Sequence, residues 1–328
     1  MTYKSTDYYR AQLEALRENQ DGFRVVYRSN SDFLASQDAK LRSLIVFDSS
    51  FNPPTIAHLA LVNDTIKLLQ SASHATDNDE FGIVLLLAVQ NADKPVVPAP
   101  LEHRLAMMER FSASISKIAE TSGGGIGSSA ADNGGLGPKV NVAIGITPFP
   151  KFVDKADAIQ TSFPGVGEQI YITGYDTLIR LFDAKYYGGK TVAEALGEFM
   201  ARSRIMCFIR DNPQWGTAAD QMQYIEDVRN GRYRDNIPPS WAERISLHPY
   251  LTGQDPKQQI NADSEQGSGH SENYRDQNNA RGDVVDLATV SSTAARAAAK
   301  TGKSAEGLTL EQIVSDAVTT YLRENHTY

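Results

Sequence analysis

Apolar runs and helical periodicities alternate along this chain of 328 residues. Short apolar runs at 44–48, 82–89, 139–145, 168–173, 203–209 and 244–248 read as strands. The inner ones are continuous, as in "IVLLLAV" (83–89), rather than alternating. A strand covered on both faces has that pattern, because every successive side chain meets a buried surface. Helical patterns fall between the runs, at 7–19, 57–70, 101–120, 175–183, 191–201 and 217–230. A last one spans 308–324 and sets Leu310, Ile313, Val314, Ala317, Val318 and Tyr321 on one face. Strand–helix alternation of this kind predicts an α/β fold, a doubly wound and mostly parallel sheet with a C-terminal helical extension.

Two segments break the pattern. Residues 121–138, "TSGGGIGSSAADNGGLGP", are rich in Gly and Ser and predict a flexible loop. Residues 252–283 are polar throughout and predict a mobile insertion. The expectation is one domain over 1–328, with 284–328 as its helical C-terminal part.

Charge and cysteine content narrow the class. With a net charge of −8 and pI near 5.3, nothing in the bulk balance suggests nucleic acid or an anionic membrane as a partner, and any polyanion must be held by a local site. The single cysteine, Cys207, lies in the apolar run "RIMCFI" and predicts a buried, inert thiol. No Cys/His cluster has zinc spacing, and no apolar stretch is long enough to span a bilayer. The polar start, "MTYKSTDYYRAQLEALREN", has no signal-peptide core. The expected location is the cytoplasm, with a nuclear pool open, and the oligomeric state is not legible.

The chemistry concentrates where the first central strand ends. "LIVF" (44–47) runs into "DSSFNPPTIAH" (48–58), which opens a helix. In open α/β sheets, ligands sit at the C-terminal strand ends. A helix start there offers unpaired amides and a positive dipole end, which suits phosphate. Ser49, Ser50 and Thr55 are small and hydroxylated, so backbone can approach a ligand. Thr55 reads as a cap, and His58 sits in the first turn.

Four more segments follow in order. "NADKPVVPAPLEHRLAMM" (91–108) carries Lys94 and Arg104. "ITGYDTLIRLF" (172–182) is a strand followed by Gly174 and Asp176, where the aspartate can accept from ribose hydroxyls or cap a helix. "FIRDN" (208–212) ends another strand at Arg210. "VSSTAAR" (290–296) sets Ser291, Ser292 and Thr293 at a helix start, with Arg296 one turn in. By contrast, "GGKT" (188–191) lacks the first glycine and the strand of a P-loop.

Together these segments resemble the signature of the nicotinamide mononucleotide (NMN) adenylyltransferases, G-x-[ST]-F-[ND]-P-x-[HT]-x-G-H, followed by I-S-S-T-x-x-R. The wording is most similar to the fungal promoter-of-filamentation branch of that family. The resemblance covers roughly residues 42–300 and implies a Rossmann-like nucleotidyltransferase fold. Asp48 and Ser49 stand where relatives often have Gly, Thr55 replaces the first His of the H-x-G-H form, and Ala57 replaces the Gly of that motif. The resemblance implies adenylyl transfer from ATP to the 5′-phosphate of NMN, giving NAD and pyrophosphate. It implies catalytic roles for His58, Thr55 and Arg296. ATP and its phosphates would meet Ser49, Ser50, Phe51, Asn52, Gly174, Asp176, Ser291, Ser292 and Thr293. NMN would meet Lys94, Arg104, Arg210 and an aromatic platform, Tyr186 and Tyr187, with Phe182 and Trp215 as further candidates. Mg²⁺ would enter with ATP rather than in a protein-built site. The partners are therefore small molecules. Two other readings stay open: a related transferase with another phosphate acceptor, or a nucleotide-binding regulatory protein with weak ATP hydrolysis.

Overall fold

The computed structural model describes residues 2–72, 81–90, 99–121, 140–209, 214–249, 285, 287 and 289–328. The sequence-expected loop at 121–138 and insertion at 252–283 lie outside these residues, Thr121 apart. The helices are α1 (Thr6–Glu18), α2 (Ile56–Ala72), α3 (Leu101–Thr121), α4 (Phe152–Ser162), α5 (Tyr175–Leu181), α6 (Val192–Arg202) and α7 (Ala218–Arg229). Three more follow: α8 (Ser292–Thr301), α9 (Leu310–Ile313) and α10 (Asp316–Asn325). The strands are β1 (Arg24–Arg28), β2 (Leu41–Asp48), β3 (Phe81–Ala88), β4 (Asn141–Thr147), β5 (Val166–Gly174), β6 (Ser203–Ile209) and β7 (Ile245–Pro249).

The strands form one sheet in the order β1-β4-β3-β2-β5-β6-β7. Every pair is parallel except the edge pair β1–β4. From β2 the chain steps outward to β3 and β4. It then returns past β2 to β5 and steps the other way to β6 and β7. The winding reverses between β2 and β5, whose register pairs Phe47 with Ile172. Connections leave these two strands in opposite directions, so a crevice opens at their C-terminal ends.

Helices cover both faces. Along β2, Ile45 and Phe47 face one apolar layer while Leu44 and Val46 face the other, as the two-residue period of a strand requires. The first layer joins α1, α2, α3 and the C-terminal helices, with Leu13, Leu61, Phe111, Ala295 and Val318 among its buried residues. The second joins α4 to α7, with Ile159, Leu178, Phe199 and Ile225.

The structure departs from the sequence reading in three places. The edge strand β1 was not expected; it is only RVVYR, interrupted by a bulge between Val25 and Tyr27, so neither length nor alternation marks it. Helix α4 was not expected either. Its buried side carries Lys155 beside Ala156 and Ile159, and the lysine hides the apolar stripe. The predicted helix 308–324 is two helices. Val314 is extended between them, and Ser315 stands at the start of α10. Ile313, Val314 and Val318 are all buried across the break.

Among the described residues, no helix is long and apolar enough to cross a membrane. Cys207 is buried as expected, and burial pushes its thiol up to about 12.

Candidate active site

A cleft of about 360 Å³ opens at the ends of β2, β5 and β6. Phe47, Asp48 and Ser49 form its β2 edge; Ile172, Thr173 and Gly174 form its β5 edge. Helix α5 contributes Asp176 and Arg180, and α2 contributes His58. The wall beyond β6 contains Gln214 and Trp215.

The β2 edge is built around one imidazole. Thr55 precedes α2, and His58 is its third residue. The Thr55 backbone N–H donates to His58 Nδ1 at 3.0 Å, and the Thr55 hydroxyl lies 2.7 Å from the same nitrogen. A peptide N–H can only donate, so Nδ1 accepts and the ring proton sits on Nε2. That proton faces Ser49 Oγ at 3.1 Å. The arrangement copies half of a capping box, with an imidazole where Glu or Gln usually accepts the cap's amide. Phe47 and Phe51 flank the ring at 5.6 and 5.4 Å between centroids. Burial among them lowers the imidazole's pKa to about 4 from an ordinary 6.5. At neutral pH His58 is therefore an uncharged donor of fixed direction, aimed into the cleft.

The next residues are occupied elsewhere. Phe51 is fully buried and has a positive φ of 43°. Its ring meets Phe47 edge-on and reaches toward Phe111. Residues other than Gly seldom adopt this left-handed backbone, so ring burial holds the turn against a local cost. The Asn52–Pro53 bond is cis. Three side chains from the end of the sequence grip it. Arg296 donates to the Asn52 carbonyl at 2.8 Å, Ser292 to the Pro53 carbonyl at 2.8 Å, and Tyr328 to Asn52 Oδ1 at 2.7 Å. Ser291 caps α8 by accepting from the Ala294 amide, as its sequence position predicted. Arg296 also donates to Thr293 Oγ1 at 2.9 Å. Arg104 is buried and donates to the Ala99 carbonyl. Burial lowers its pKa; Tyr328 opposes that shift and the nearby Arg296 adds to it.

Across the cleft, Gly174 occupies the cap position of α5 and Asp176 is the second helical residue. The sequence alternative that Asp176 caps this helix is thus corrected. A Cβ at position 174 would come within 3.1 Å of Asp176 Oδ1, so glycine leaves room for the carboxylate. Arg180 stands one turn on, 3.9 Å from Asp176.

Of the sequence-predicted residues, Ser49, His58, Gly174 and Asp176 line the cleft, and Thr55 orients His58. Ser50, Phe51, Asn52, Arg104, Ser291, Ser292, Thr293 and Arg296 lie outside its lining. So do Tyr186 and Tyr187; the Tyr187 hydroxyl donates to the Leu181 carbonyl, and Lys185 lies over Tyr186. Trp215, a lesser aromatic candidate, is in the wall, whereas Phe182 stacks on Trp241 in the core. Lys94 and Arg210 fall outside the described residues. Tyr175, Arg180 and Gln214 were missed. Arg180 was legible as the charge four residues after Asp176; the other two carry no sequence signal. "GGKT" proves to be a turn with two left-handed glycines, ending in Thr191, which caps α6 in a capping box with Glu194.

The crevice position, the helix-start donor and the facing carboxylate define a nucleotide-handling α/β protein. Residues 46–187 match the Cytidylyltransferase-like family. A Schizosaccharomyces pombe protein named "Putative nicotinamide mononucleotide adenylyltransferase" is 34% identical over 206 residues, covering 63% of this chain and 68% of that protein. The chain belongs to the NMN adenylyltransferase-like nucleotidyltransferases. Two solved structures of Plasmodium falciparum nicotinic acid mononucleotide adenylyltransferase are also similar, each at 10% identity. The complex with NaAD has a TM-score of 0.45, covering 86% of this chain and 95% of its own. The complex with APC has a TM-score of 0.44, covering 87% and 96%.

Proposed function

We propose that this chain transfers the adenylyl group of ATP to the 5′-phosphate of NMN, giving NAD and pyrophosphate. One observation carries the reading: a neutral imidazole, its proton fixed on Nε2, at the start of α2 in the crevice between β2 and β5. The name of the S. pombe relative supports NMN as the acceptor.

An oxygen of the 5′-phosphate attacks the α-phosphorus of ATP. The bond to the bridging β-phosphate oxygen breaks, and pyrophosphate leaves with that electron pair. No covalent enzyme intermediate is needed, so positioning and charge stabilisation supply the rate. His58 donates Nε2–H to a phosphate oxygen as charge builds, sharing or replacing its contact with Ser49. The first amides of α2 and their dipole add to the same attraction. Asp176 accepts from ribose hydroxyls, and Trp215 offers a flat face to a base.

The remaining assignments follow the family resemblance. Ser50, Phe51 and Asn52 carry the phosphate turn. Ser291, Ser292, Thr293 and Arg296 serve the leaving phosphates, which requires Arg296 to release the Asn52 carbonyl. Lys94, Arg104, Arg210, Tyr186 and Tyr187 serve NMN. Mg²⁺ fits as a companion of ATP. The cleft's carboxylates are Asp48, paired with Lys155, and Asp176, close to Arg180. Phosphates and water would therefore supply most ligands, and the ion would neutralise phosphate charge.

The test is direct. Incubate the purified chain and Mg-ATP with NMN, nicotinate mononucleotide, phosphopantetheine or no acceptor, and measure dinucleotide and pyrophosphate. NAD with NMN is expected. Pyrophosphate with a different acceptor alone reassigns the substrate, and phosphate released without any acceptor replaces transfer by hydrolysis.

A further inference from the structure

Asp48 is an unexpected neighbour for a polyphosphate. It precedes Ser49 at the end of β2 and lines the same cleft as His58. A carboxylate there would repel the anion that the adjoining helix start attracts. The fold answers with Lys155. This residue lies on the buried side of α4, its side chain 4% exposed, and its ammonium pairs with Asp48 Oδ2. The Asp48 side chain is 11% exposed, so water screens the pair little. The ammonium also lies over the Phe152 ring, 5.2 Å from its centroid. Tyr171 closes the pair's surroundings from β5. Its phenol is held well above the ordinary range, by burial first and then by the Asp48 and Asp157 carboxylates. Arg202 partners Asp157, so Lys155 is left to answer Asp48.

We propose that Lys155 is a positioning residue of the nucleotide cleft: its buried ammonium cancels the Asp48 carboxylate, so that a nucleoside triphosphate can lie against the β2 edge. Lys155 itself lies outside the cleft lining and acts through Asp48. The inference rests on the nucleotide reading above and adds a charge couple to it.

Charge and scaffold roles differ in sign. Little solvent separates the pair from the cleft, so a unit charge left there acts over several ångströms. Mg-ATP and adenosine binding are measured by calorimetry on the full chain, for wild type, Lys155→Met, Asp48→Asn and the double variant. Lys155→Met leaves the carboxylate alone and weakens Mg-ATP by about tenfold, while adenosine changes by less than about twofold. Asp48→Asn leaves the ammonium alone and tightens Mg-ATP by about threefold or more. The double variant returns to near the wild-type value.

A purely structural pair gives another pattern: both single variants weaken ATP and adenosine alike, and that result overturns the proposal. If Lys155→Met does not fold, Asp48→Asn decides alone, since unchanged or weaker ATP binding refutes the charge couple. If wild type binds no Mg-ATP, the nucleotide reading itself fails. If wild type binds and the signs do not oppose, this inference alone fails.

Discussion

His58 serves two functions with one ring. Nδ1 closes the start of α2 by accepting the Thr55 amide, and this leaves Nε2–H as the donor facing Ser49 and the cleft. Removing one preorganised donor of this kind typically costs about 10²–10³ in rate. His58→Ala is therefore expected to lose NAD formation on that scale while far-ultraviolet circular dichroism stays native; turnover near wild type would remove His58 from the mechanism. A second expectation concerns pH. The folded chain keeps His58 neutral down to about pH 4, whereas the unfolded chain protonates it below 6.5. Above pH 6.5 both states are neutral and His58 adds no pH dependence. Between 6.5 and 4 the unfolded state binds the extra proton, so stability falls with pH, by up to about 3 kcal/mol from this residue. Urea midpoints of wild type and His58→Gln across that range check it: the wild-type slope should be steeper. For the same reason, catalysis should show no His58 titration near pH 6.5.

At the scale of elements, capping chemistry was legible and one buried charge was not. Ser291 caps α8 where its motif predicted. Thr191 and Glu194 form a capping box at α6, so the "GGKT" stretch is structural. Thr191→Ala should lose about 1 kcal/mol of stability. Its Mg-ATP affinity should be unchanged, and a clear loss of affinity would reopen a phosphate role for that turn. Helix α4 was illegible because sequence periodicity counts Lys155 as exposed. Its partner, Asp48, is more than a hundred positions away. Only the parallel neighbours β2 and β5, with α4 leading into β5, bring the two charges together. The C-terminal pattern was legible as apolar but not as broken, because Val314 and Ser315 fit a helical stripe as well as an extended link.

Across the whole molecule, the C-terminal helices hold the turn that precedes α2. Ser292, Arg296 and Tyr328 bond to Pro53 and Asn52 across more than two hundred positions of sequence. They anchor through Ala295, Ile313, Val318 and Tyr321, which share the core with α2 and α3. The turn that opens α2 is thus fixed from outside the sheet. Tyr328→Phe removes one hydrogen bond to the buried Asn52 side chain, and such a bond typically contributes about 0.5–1.5 kcal/mol. The loss should appear as a lower denaturation midpoint together with faster amide exchange at residues 51–59. If exchange rises equally everywhere, Tyr328 supports the core rather than the turn.

The sequence by itself determined the α/β alternation, the six parallel strands and the family, because continuous apolar runs and capped helix starts are local properties. It also marked Ser49, His58, Gly174 and Asp176, each beside a strand end. Tertiary structure decided what those residues face. It put them in one crevice by reversing the winding between β2 and β5, and it turned Arg296 onto a carbonyl of the turn. It also supplied Lys155 to Asp48, because pairing between distant charges depends on which elements become neighbours.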